Sequence, residues 1–228
     1  MKKILIINAG PTFDEISEVN GQFHKMVSDR LGTDQFFVVD VHKGEKLPDP
    51  SEIAGAIMTG SHDMVTDRLE WSETTAAWIK KAVEGGLPFL GICYGHQLLA
   101  DAMGGEAGYH KDGMEIGTVE VSLMPEAVCD ELLCDLPAEF KAHAVHSQTA
   151  LKLPEGAVRL AYNSHDPHHA FRIKNAWGVQ FHPEFSAGII EGYIRKSDKC
   201  DESLLAEVKN TPEAESVLRR FARICLKG

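Results

Sequence analysis

The stretch around Cys93 constrains the fold more strongly than any other, because it requires a buried strand, a tight turn and a helix in direct succession. An apolar run leads into the pattern Gly-x-Cys-x-Gly at residues 91–95, and apolar residues then recur at helical spacing until the glycines at 104–105. The residue at the apex of such a turn is held in a strained backbone conformation, which requires small neighbours. Gly91 and Gly95 are those neighbours, and Cys93 is the predicted apex.

This position would alter the chemistry of the Cys93 thiol. A cysteine at a helix N-terminus is close to unpaired backbone N–H groups and to the positive end of the helix dipole, and both favour the thiolate. The backbone N–H of Tyr94 points to where an oxyanion forms during acyl transfer. A buried structural cysteine in a glycine-rich turn is the alternative interpretation, so other parts of the chain must decide between the two.

Length and charge limit the classes of function. The 228 residues suit one α/β domain that spans residues 1–228, and 43% hydrophobic with 25% charged residues is typical of a globular protein. The net charge of -11 argues against nucleic acid as a partner, because no basic stripe offsets it. The apolar run at residues 4–7 is too short for a signal peptide, and no run reaches transmembrane length, so we expect no membrane partner.

The cysteines predict a reducing compartment. The five cysteines, Cys93, Cys129, Cys134, Cys200 and Cys225, form an odd set without the spacing of a disulfide framework. Cys129 and Cys134 lack the pairs that a zinc site requires. We therefore expect reduced thiols, a cytoplasmic location and no metal.

The first half of the chain alternates between apolar strands and amphipathic helices. Strands are predicted at 3–8, 36–41 and 53–58, and helices at 23–31 and 71–83. This order predicts an α/β fold with a doubly wound, mostly parallel sheet and helices on both faces. Such sheets bind ligands at the carboxyl ends of their strands.

The second half has the alternating pattern of half-buried strands. Apolar and polar residues alternate at 119–123 and, less cleanly, at 158–162, which predicts additional antiparallel strands. A further strand is predicted at 177–182. Helices with one apolar face are predicted at 189–194 and 212–225.

His182 is predicted to leave the end of the strand at 177–182. By strand alternation it shares one face with Gly178 and Gln180. Glu184 follows closely enough to orient the imidazole through a hydrogen bond. A nucleophile, a base and a carboxylate at strand ends follow the logic of a catalytic triad. A strand-end histidine beside a solvated acid is the alternative for this segment alone.

Together, the two segments resemble the class I glutamine amidotransferases. Residues 91–97, Gly-Ile-Cys-Tyr-Gly-His-Gln, resemble the nucleophile segment of that family. Residues 178–184, Gly-Val-Gln-Phe-His-Pro-Glu, resemble its histidine and glutamate segment. The resemblance spans about residues 3–190 and implies a flavodoxin-like sheet, a Cys-His-Glu triad and no cofactor.

The resemblance also implies an oxyanion hole and a substrate-binding side chain. Residues 58–61 resemble the glycine loop of the family, which makes the Gly60 N–H a second oxyanion donor beside that of Tyr94. Gln97 matches a glutamine whose side chain contacts the substrate. A strand-end turn and an exposed helix residue are the respective structural alternatives.

A second substrate-binding segment is implied at His146, Ser147 and Gln148. These residues resemble the His-Ser-x segment whose backbone binds the amino-acid end of the substrate, with a polar loop as the alternative. The third position of that segment varies within the family. The chain also departs from the family at 60–62, where Gly-Ser-His replaces the frequent Gly-Pro-Gly. Both differences affect recognition of the acceptor and of the substrate end group, and leave hydrolysis intact.

The reaction implied by the resemblance is hydrolysis of the side-chain amide of glutamine. The Cys93 thiolate would attack the δ-carbonyl while the N–H groups of Gly60 and Tyr94 hold the oxyanion. His182 would protonate the departing ammonia and then deprotonate the water that cleaves the glutamyl thioester. Glu184 would keep the imidazole in the useful tautomer.

The acceptor of the ammonia stays open. The sequence lacks the glycine-rich phosphate loop of an ATP site. A separate synthetase subunit would then receive the ammonia, or the chain is free-standing and similar to the amidotransferase domain of GMP synthetase. Plant γ-glutamyl peptidases are similar around residues 91–97, so a γ-glutamyl peptide is the alternative substrate. A regulatory protein that keeps the pocket without turnover is a third interpretation.

Two further segments are interpreted from local pattern. Residues 163–169 are rich in histidine but lack a helical i, i+4 pair, so a solvent-exposed loop is predicted in place of a metal site. Residues 59–63 are predicted to form a two-state loop that a partner would stabilise, because Gly60 permits rotation of its N–H.

Two related families fit the sequence less well. Tyr94 argues against the protease-like proteins of related fold, which have a histidine directly after the cysteine. Secreted γ-glutamyl hydrolases of folate usually have a different residue at the position of Gln97, which argues against that family.

Overall fold

The structure is a computed structural model that describes residues 2–198 and 201–227, so Cys200 lies outside the described residues. Its strands are β1 (Ile4–Asn8), β2 (Phe36–Asp40), β3 (Gly55–Met58), β4 (Phe89–Ile92), β5 (Glu106–Tyr109), β6 (Glu115–Leu123), β7 (Glu139–His146), β8 (Gln148–Lys152), β9 (Val158–Tyr162), β10 (Ala170–Ile173) and β11 (Ala176–Val179). Its α-helices are α1 (Asp14–Asn20), α2 (Phe23–Leu31), α3 (Glu70–Glu84), α4 (Tyr94–Ala102), α5 (Ala187–Lys196), α6 (Glu202–Ala206) and α7 (Pro212–Leu226).

A mixed sheet runs through the molecule. In the described part of the chain it has nine strands in the order β2-β1-β3-β4-β11-β10-β9-β6-β7, and β5 pairs with β8 in a separate sheet. The strands from β2 to β11 in that order run parallel, and the strands from β10 to β7 pair antiparallel. The order of the parallel strands is that of flavodoxin-like folds, which confirms the predicted fold class.

Strand β1 shows how the two faces of the sheet are covered. Ile4 and Ile6 belong to the cluster that includes α2 and α7, whereas Leu5 and Ile7 belong to the cluster that includes α3 and α4. All residues of β1 are buried, as expected for a parallel strand between two layers of helices. Helices therefore lie on both faces of the sheet, as predicted.

Strand β11 is shorter than the sequence predicts. It ends at Val179, opposite the last residue of β4, Ile92, because the chain of β4 turns away at Cys93 and leaves the ladder without that partner. Trp177, Val179 and Phe181 nonetheless pack in one cluster, which confirms the predicted alternation.

The helices are amphipathic. Helix α7 begins with Pro212 in its first turn and buries Val217, Leu218 and Phe221, while Arg219 is exposed. Among the helices of residues 2–198 and 201–227, none has both the length and the apolar character needed to cross a membrane.

Candidate active site

Backbone geometry places Cys93 at the apex of the turn between β4 and α4. Its φ of 50° and ψ of -100° lie in a region that L-residues rarely adopt. A Cβ atom added at Gly91 would lie 2.2 Å from the carbonyl oxygen of Gly95, and one added at Gly95 would lie 2.7 Å from that of Met58. Neither position accommodates a side chain, so the two glycines are what allow the turn to close.

Neighbouring parallel strands bring Cys93 close to His182. The backbone N–H of Cys93 donates to the carbonyl of Val179, the last residue of β11, at 2.9 Å. Gly60 follows the end of β3 and lies against both residues. A Cβ atom added there would lie 3.1 Å from Cε1 of His182 and 3.8 Å from Cβ of Cys93. The carboxyl ends of three strands therefore meet at this point.

His182 and Glu184 form a buried pair. Nδ1 of His182 lies 2.8 Å from Oε1 of Glu184, and their side chains are 3% and 0% exposed. Burial lowers the pKa of His182, but the negative charges of Glu184 and Cys93 outweigh burial and raise the pKa to about 10. Nε2 of the ring is buried and has no nitrogen or oxygen partner among the described residues, and a hydrogen bond between the ring and Cys93 also raises the pKa. That nitrogen can therefore exchange a proton with a bound molecule.

A cavity of about 300 Å³ opens beside Cys93 and His182. This volume is at the lower end of the range of roughly 300–1,000 Å³ for small-molecule sites. Its lining includes all the residues that the sequence assigns to substrate binding: Gln97, His146, Ser147 and Gln148. The structure thus brings these predicted residues to the same space as Cys93.

The segment that follows β3 is tied to its surroundings by side-chain hydrogen bonds. The Ser61 hydroxyl donates to the carbonyl of Ala9 at 3.1 Å. Nε2 of His62 lies 3.0 Å from the hydroxyl of Tyr193 in α5. Burial and the charge of His182 lower the pKa of His62, which favours the neutral ring. Both contacts come from within this chain.

Tyr94 and Gln97 are buried on the first turn of α4. The Tyr94 hydroxyl lies 2.6 Å from that of Ser72, and burial raises the pKa of Tyr94 to about 12. The Gln97 amide donates to the Gln148 carbonyl at 2.7 Å and to Oε1 of Gln180 at 3.2 Å. Gln97 is therefore not the exposed helix residue of the structural alternative.

The segment His146, Ser147 and Gln148 lies where β7 passes into β8. Nδ1 of His146 lies 3.0 Å from the carbonyl oxygen of Gln148, and its Nε2 lies 2.9 Å from Oε2 of Glu115. The side-chain amide of Gln148 donates to the Thr66 hydroxyl at 2.6 Å. His146 and Gln148 are buried, so the segment is fixed by its neighbours and is not a free polar loop.

Glu115, at the start of β6, is a functional candidate that no motif marks. Its Oε2 also lies 2.8 Å from Nε2 of His169, and its Oε1 accepts from the Asn163 amide at 2.6 Å. Burial raises the pKa of Glu115, but the hydrogen bonds to His146 and His169 outweigh burial and hold the pKa well below its usual range. The sequence carries no signal for it, because only its burial at the start of β6 distinguishes it from the other acidic residues.

Residues 163–169 form the predicted loop, but only part of it is exposed, including Ser164 and Pro167. Asp166 and His169 are 0% exposed. Asp166 accepts hydrogen bonds from the Thr149 hydroxyl and from the backbone N–H of His168, which holds the loop against β8. The loop therefore supports the strand that begins with Gln148, because buried polar groups require such partners.

Three buried ligand atoms lie close enough to hold a metal ion. Oε2 of Glu115, Nε2 of His146 and Nε2 of His169 all lie within 4.8 Å of one another. Two imidazoles and a carboxylate suit a transition metal. The same atoms already pair at 2.8 and 2.9 Å, which explains their burial without an ion. The absence of a metal stays a prediction.

Known proteins resemble this chain over nearly its whole length. The family model for glutamine amidotransferase class-I matches residues 16–196. Gamma-glutamyl peptidase 4 of Arabidopsis thaliana is 32% identical over 237 residues, which cover 98% of this chain and 94% of that protein. A glutamine-hydrolyzing GMP synthase subunit of Methanocaldococcus jannaschii is 29% identical, over 86% of each chain. The crystal structure of a glutamine amidotransferase from Thermotoga maritima has the same fold, with a TM-score of 0.75, 22% identity and 99% coverage of both chains.

Proposed function

This chain belongs to the class I glutamine amidotransferases, and on that premise we propose that it hydrolyses the side-chain amide of glutamine through a thioester on Cys93. The observation that supports this most directly is the buried pair of His182 and Glu184 beside a cysteine held at positive φ. Strained backbone and groups with shifted pKa values cluster at active sites. A structural cysteine requires neither.

The proposed roles follow from the position of each group. The Cys93 sulfur attacks the δ-carbonyl carbon, and a C–S bond forms as the C–N bond breaks. His182 gives its Nε2 proton to the leaving nitrogen, then takes a proton from the water that cleaves the thioester. Glu184 holds the other ring nitrogen and stabilises the charged imidazole, because it lies 2.8 Å away. Glutamate and ammonia are the products.

The oxyanion of each tetrahedral intermediate would be held by two backbone N–H groups. Tyr94 supplies one because it begins α4 directly after Cys93. Gly60 supplies the other because it lies against both Cys93 and His182. Loss of one such donor typically lowers the rate by about 10²–10³-fold.

We assign Gln97 and residues 146–148 to the glutamyl end of the substrate. The Gln97 amide nitrogen is already engaged with Gln148 and Gln180, so its carbonyl oxygen is the atom that can accept from the substrate ammonium group. The remaining contacts would come from the backbone at Ser147 and Gln148, which line the cavity.

A γ-glutamyl peptide is the second candidate substrate, with the same chemistry and an amine in place of ammonia as the leaving group. The segment after β3 is tied by Ser61 and His62 to other parts of this chain, which supports a site that works without a partner. The full-length similarity to a gamma-glutamyl peptidase also favours this candidate. The similarity to a glutamine-hydrolyzing GMP synthase subunit favours glutamine, with ammonia passed to a separate synthetase subunit.

Glutamate release by the purified chain tests the proposal. We expect release from glutamine or from a γ-glutamyl dipeptide, and none from either in Cys93→Ala. The matched control Cys129→Ala removes an exposed cysteine and should retain activity. Peptide mapping after brief exposure to a glutamine-like diazo-ketone should find the label on Cys93. Dominant labelling of another cysteine, or full activity in Cys93→Ala, would refute the assignment.

A further inference from the structure

The cavity beside Cys93 has a part that the hydrolysis of glutamine does not use. Besides the polar residues assigned to the glutamyl end, it is lined by an aromatic group that we call the aromatic wall: Phe13, Phe23, His62 and Tyr193. When glutamine is cleaved, the leaving group is ammonia, which is about the size of a water molecule, roughly 30 Å³. Ammonia has no apolar surface that these rings could cover.

The aromatic wall is continuous. The ring centroids of Phe13 and His62 are 4.4 Å apart, those of His62 and Tyr193 are 5.8 Å apart, and those of Phe23 and His62 are 6.0 Å apart. Phe13 is 37% exposed although its ring is large and apolar. The Phe13 ring packs against His62 and Tyr193, and Nζ of Lys196 lies 5.0 Å from its centroid. The part of the ring that these groups leave accessible gains buried area when an apolar ligand enters.

The wall is linked to the residue that handles the leaving group. Tyr193 packs on Phe185 with centroids 5.2 Å apart, and Phe185 stacks on His182 at 4.1 Å. The proton for the leaving nitrogen comes from Nε2 of His182, so that nitrogen must lie within hydrogen-bond reach of it. A substituent on the nitrogen therefore leaves the reacting centre on the side of the cavity where His182 and the wall lie.

We propose that Phe13, His62 and Tyr193 form a subsite for the leaving amine, and that the subsite selects γ-glutamyl compounds whose amine carries an aromatic or large apolar side chain. This inference rests on the proposed hydrolysis of a γ-glutamyl amide at Cys93. A γ-glutamyl derivative of phenylalanine is the simplest member of the class. The side chain of the leaving amino acid packs on Phe13, and the glutamyl half stays at the polar residues.

Paired substrates test the subsite. The wild-type chain should hydrolyse γ-glutamyl-phenylalanine with a kcat/KM about tenfold above that for γ-glutamyl-glycine, because apolar contacts of this size discriminate by such factors. In Phe13→Ala the ratio of the two values should fall to about twofold. Tyr162→Ala is the matched control, because Tyr162 is an exposed aromatic residue outside the cavity lining, and it should retain the wild-type ratio.

Binding separates failure of the subsite from failure of the proposed hydrolysis. Calorimetry on Cys93→Ser with the same two dipeptides needs no turnover, and the phenylalanine compound should bind about tenfold more tightly. If no substrate is cleaved but this preference is present, the proposed function fails and the subsite stands. If cleavage occurs without preference, or if Cys93→Ser binds both compounds equally, the subsite is refuted. An unchanged ratio in Phe13→Ala would also refute it.

Discussion

The parallel and antiparallel halves of the sheet position their parts of the site by different means. In the parallel half, Cys93 and Gly60 are placed by backbone contacts so close that a Cβ atom at Gly91 would overlap the next turn. In the antiparallel half, His146 is placed by a hydrogen bond with a side chain that is distant in sequence, Glu115, and Gln148, at the start of β8 in the separate two-stranded sheet, is held in the same way by Thr66.

The difference shows what each half demands of the sequence. Close backbone contacts permit few residue types, so they appear as glycines at fixed spacing. A hydrogen-bond network of side chains requires only that each buried polar group finds a partner, and the partners can come from anywhere in the chain. The proposed reacting groups therefore carry a sequence pattern, whereas the side chains that support the proposed substrate-binding segment do not.

Gly91→Ala should have the largest effect, because it disturbs the close backbone contacts of the parallel half directly. The added methyl group would lie 2.2 Å from the carbonyl oxygen of Gly95, so the turn that carries Cys93 must shift. We expect loss of measurable γ-glutamyl hydrolysis and a decrease of about 3 kcal/mol in the free energy of unfolding. Steady-state kinetics and urea unfolding measure the two effects.

Gly188→Ala is the matched control for that substitution. Gly188 lies in α5, and a Cβ atom added there meets nothing within 4 Å among the described residues. Alanine should raise the stability by about 0.5–1 kcal/mol, because glycine is a poor helix former. If Gly91→Ala lowered neither activity nor stability, like Gly188→Ala, the turn at Cys93 in the parallel half would not depend on close backbone contact.

Glu115→Gln tests the side-chain hydrogen-bond network of the antiparallel half. It should have a smaller effect, mainly on KM. The substitution keeps the shape of the side chain but removes the charge that pairs with His146 and His169. Because these contacts hold the proposed substrate-binding segment and not the proposed nucleophile, we expect KM for the γ-glutamyl substrate to rise about tenfold with kcat changed by less than about threefold. Initial-rate kinetics separates the two constants.

Glu120→Gln makes the same substitution on the same strand. Glu120 is 59% exposed and lies 3.5 Å from Lys141, so its loss should alter stability by less than about 0.5 kcal/mol and leave KM unchanged. Treatment of the wild-type chain with a chelator should also leave KM unchanged. A chelator that reproduced the effect of Glu115→Gln would show that the network holds a metal and would overturn the prediction of a metal-free site.

The pH dependence of stability tests the contribution of the charged His182 ring. The folded chain raises the pKa of His182 from 6.5 to about 10, so its charged form contributes stability that is complete below about pH 6.5 and is lost as the pH rises through 10. The difference in unfolding free energy between the wild type and His182→Gln should therefore shrink from pH 6.5 to pH 10. The pKa of His24 is lowered by burial, so the difference for His24→Gln should be flat over that range.

Sequence patterns predicted much of the parallel half. The apolar runs at β1 and β4, the glycines around Cys93 and the alternation of Trp177 and Val179 correspond to features that the structure contains. These are local patterns, in which each residue reports its own burial or its own backbone geometry. The end of β11 was less predictable, because it is set by where β4 turns away and not by its own residues.

The sequence did not reveal the side-chain network of the other half. Glu115 and His169 are separated by 54 residues, and Thr149 and Asp166 by 17, so no local pattern joins them. The same is true of His62 and Tyr193, which meet across 131 residues. Such pairs become visible only when the sheet order is known, and for this reason residues 163–169 were expected to be exposed.

The tie between His62 and Tyr193 has a consequence for how such an enzyme is controlled. Helix α5 follows Glu184 closely, and through Tyr193 it reaches back to the segment that carries Gly60. If the predicted oxyanion loop at residues 59–63 is already assembled at rest, hydrolysis starts whenever substrate is present, with no waiting step for a second protein to remove. The cell would then set the flux through it by the supply of the γ-glutamyl compound and by the amount of protein.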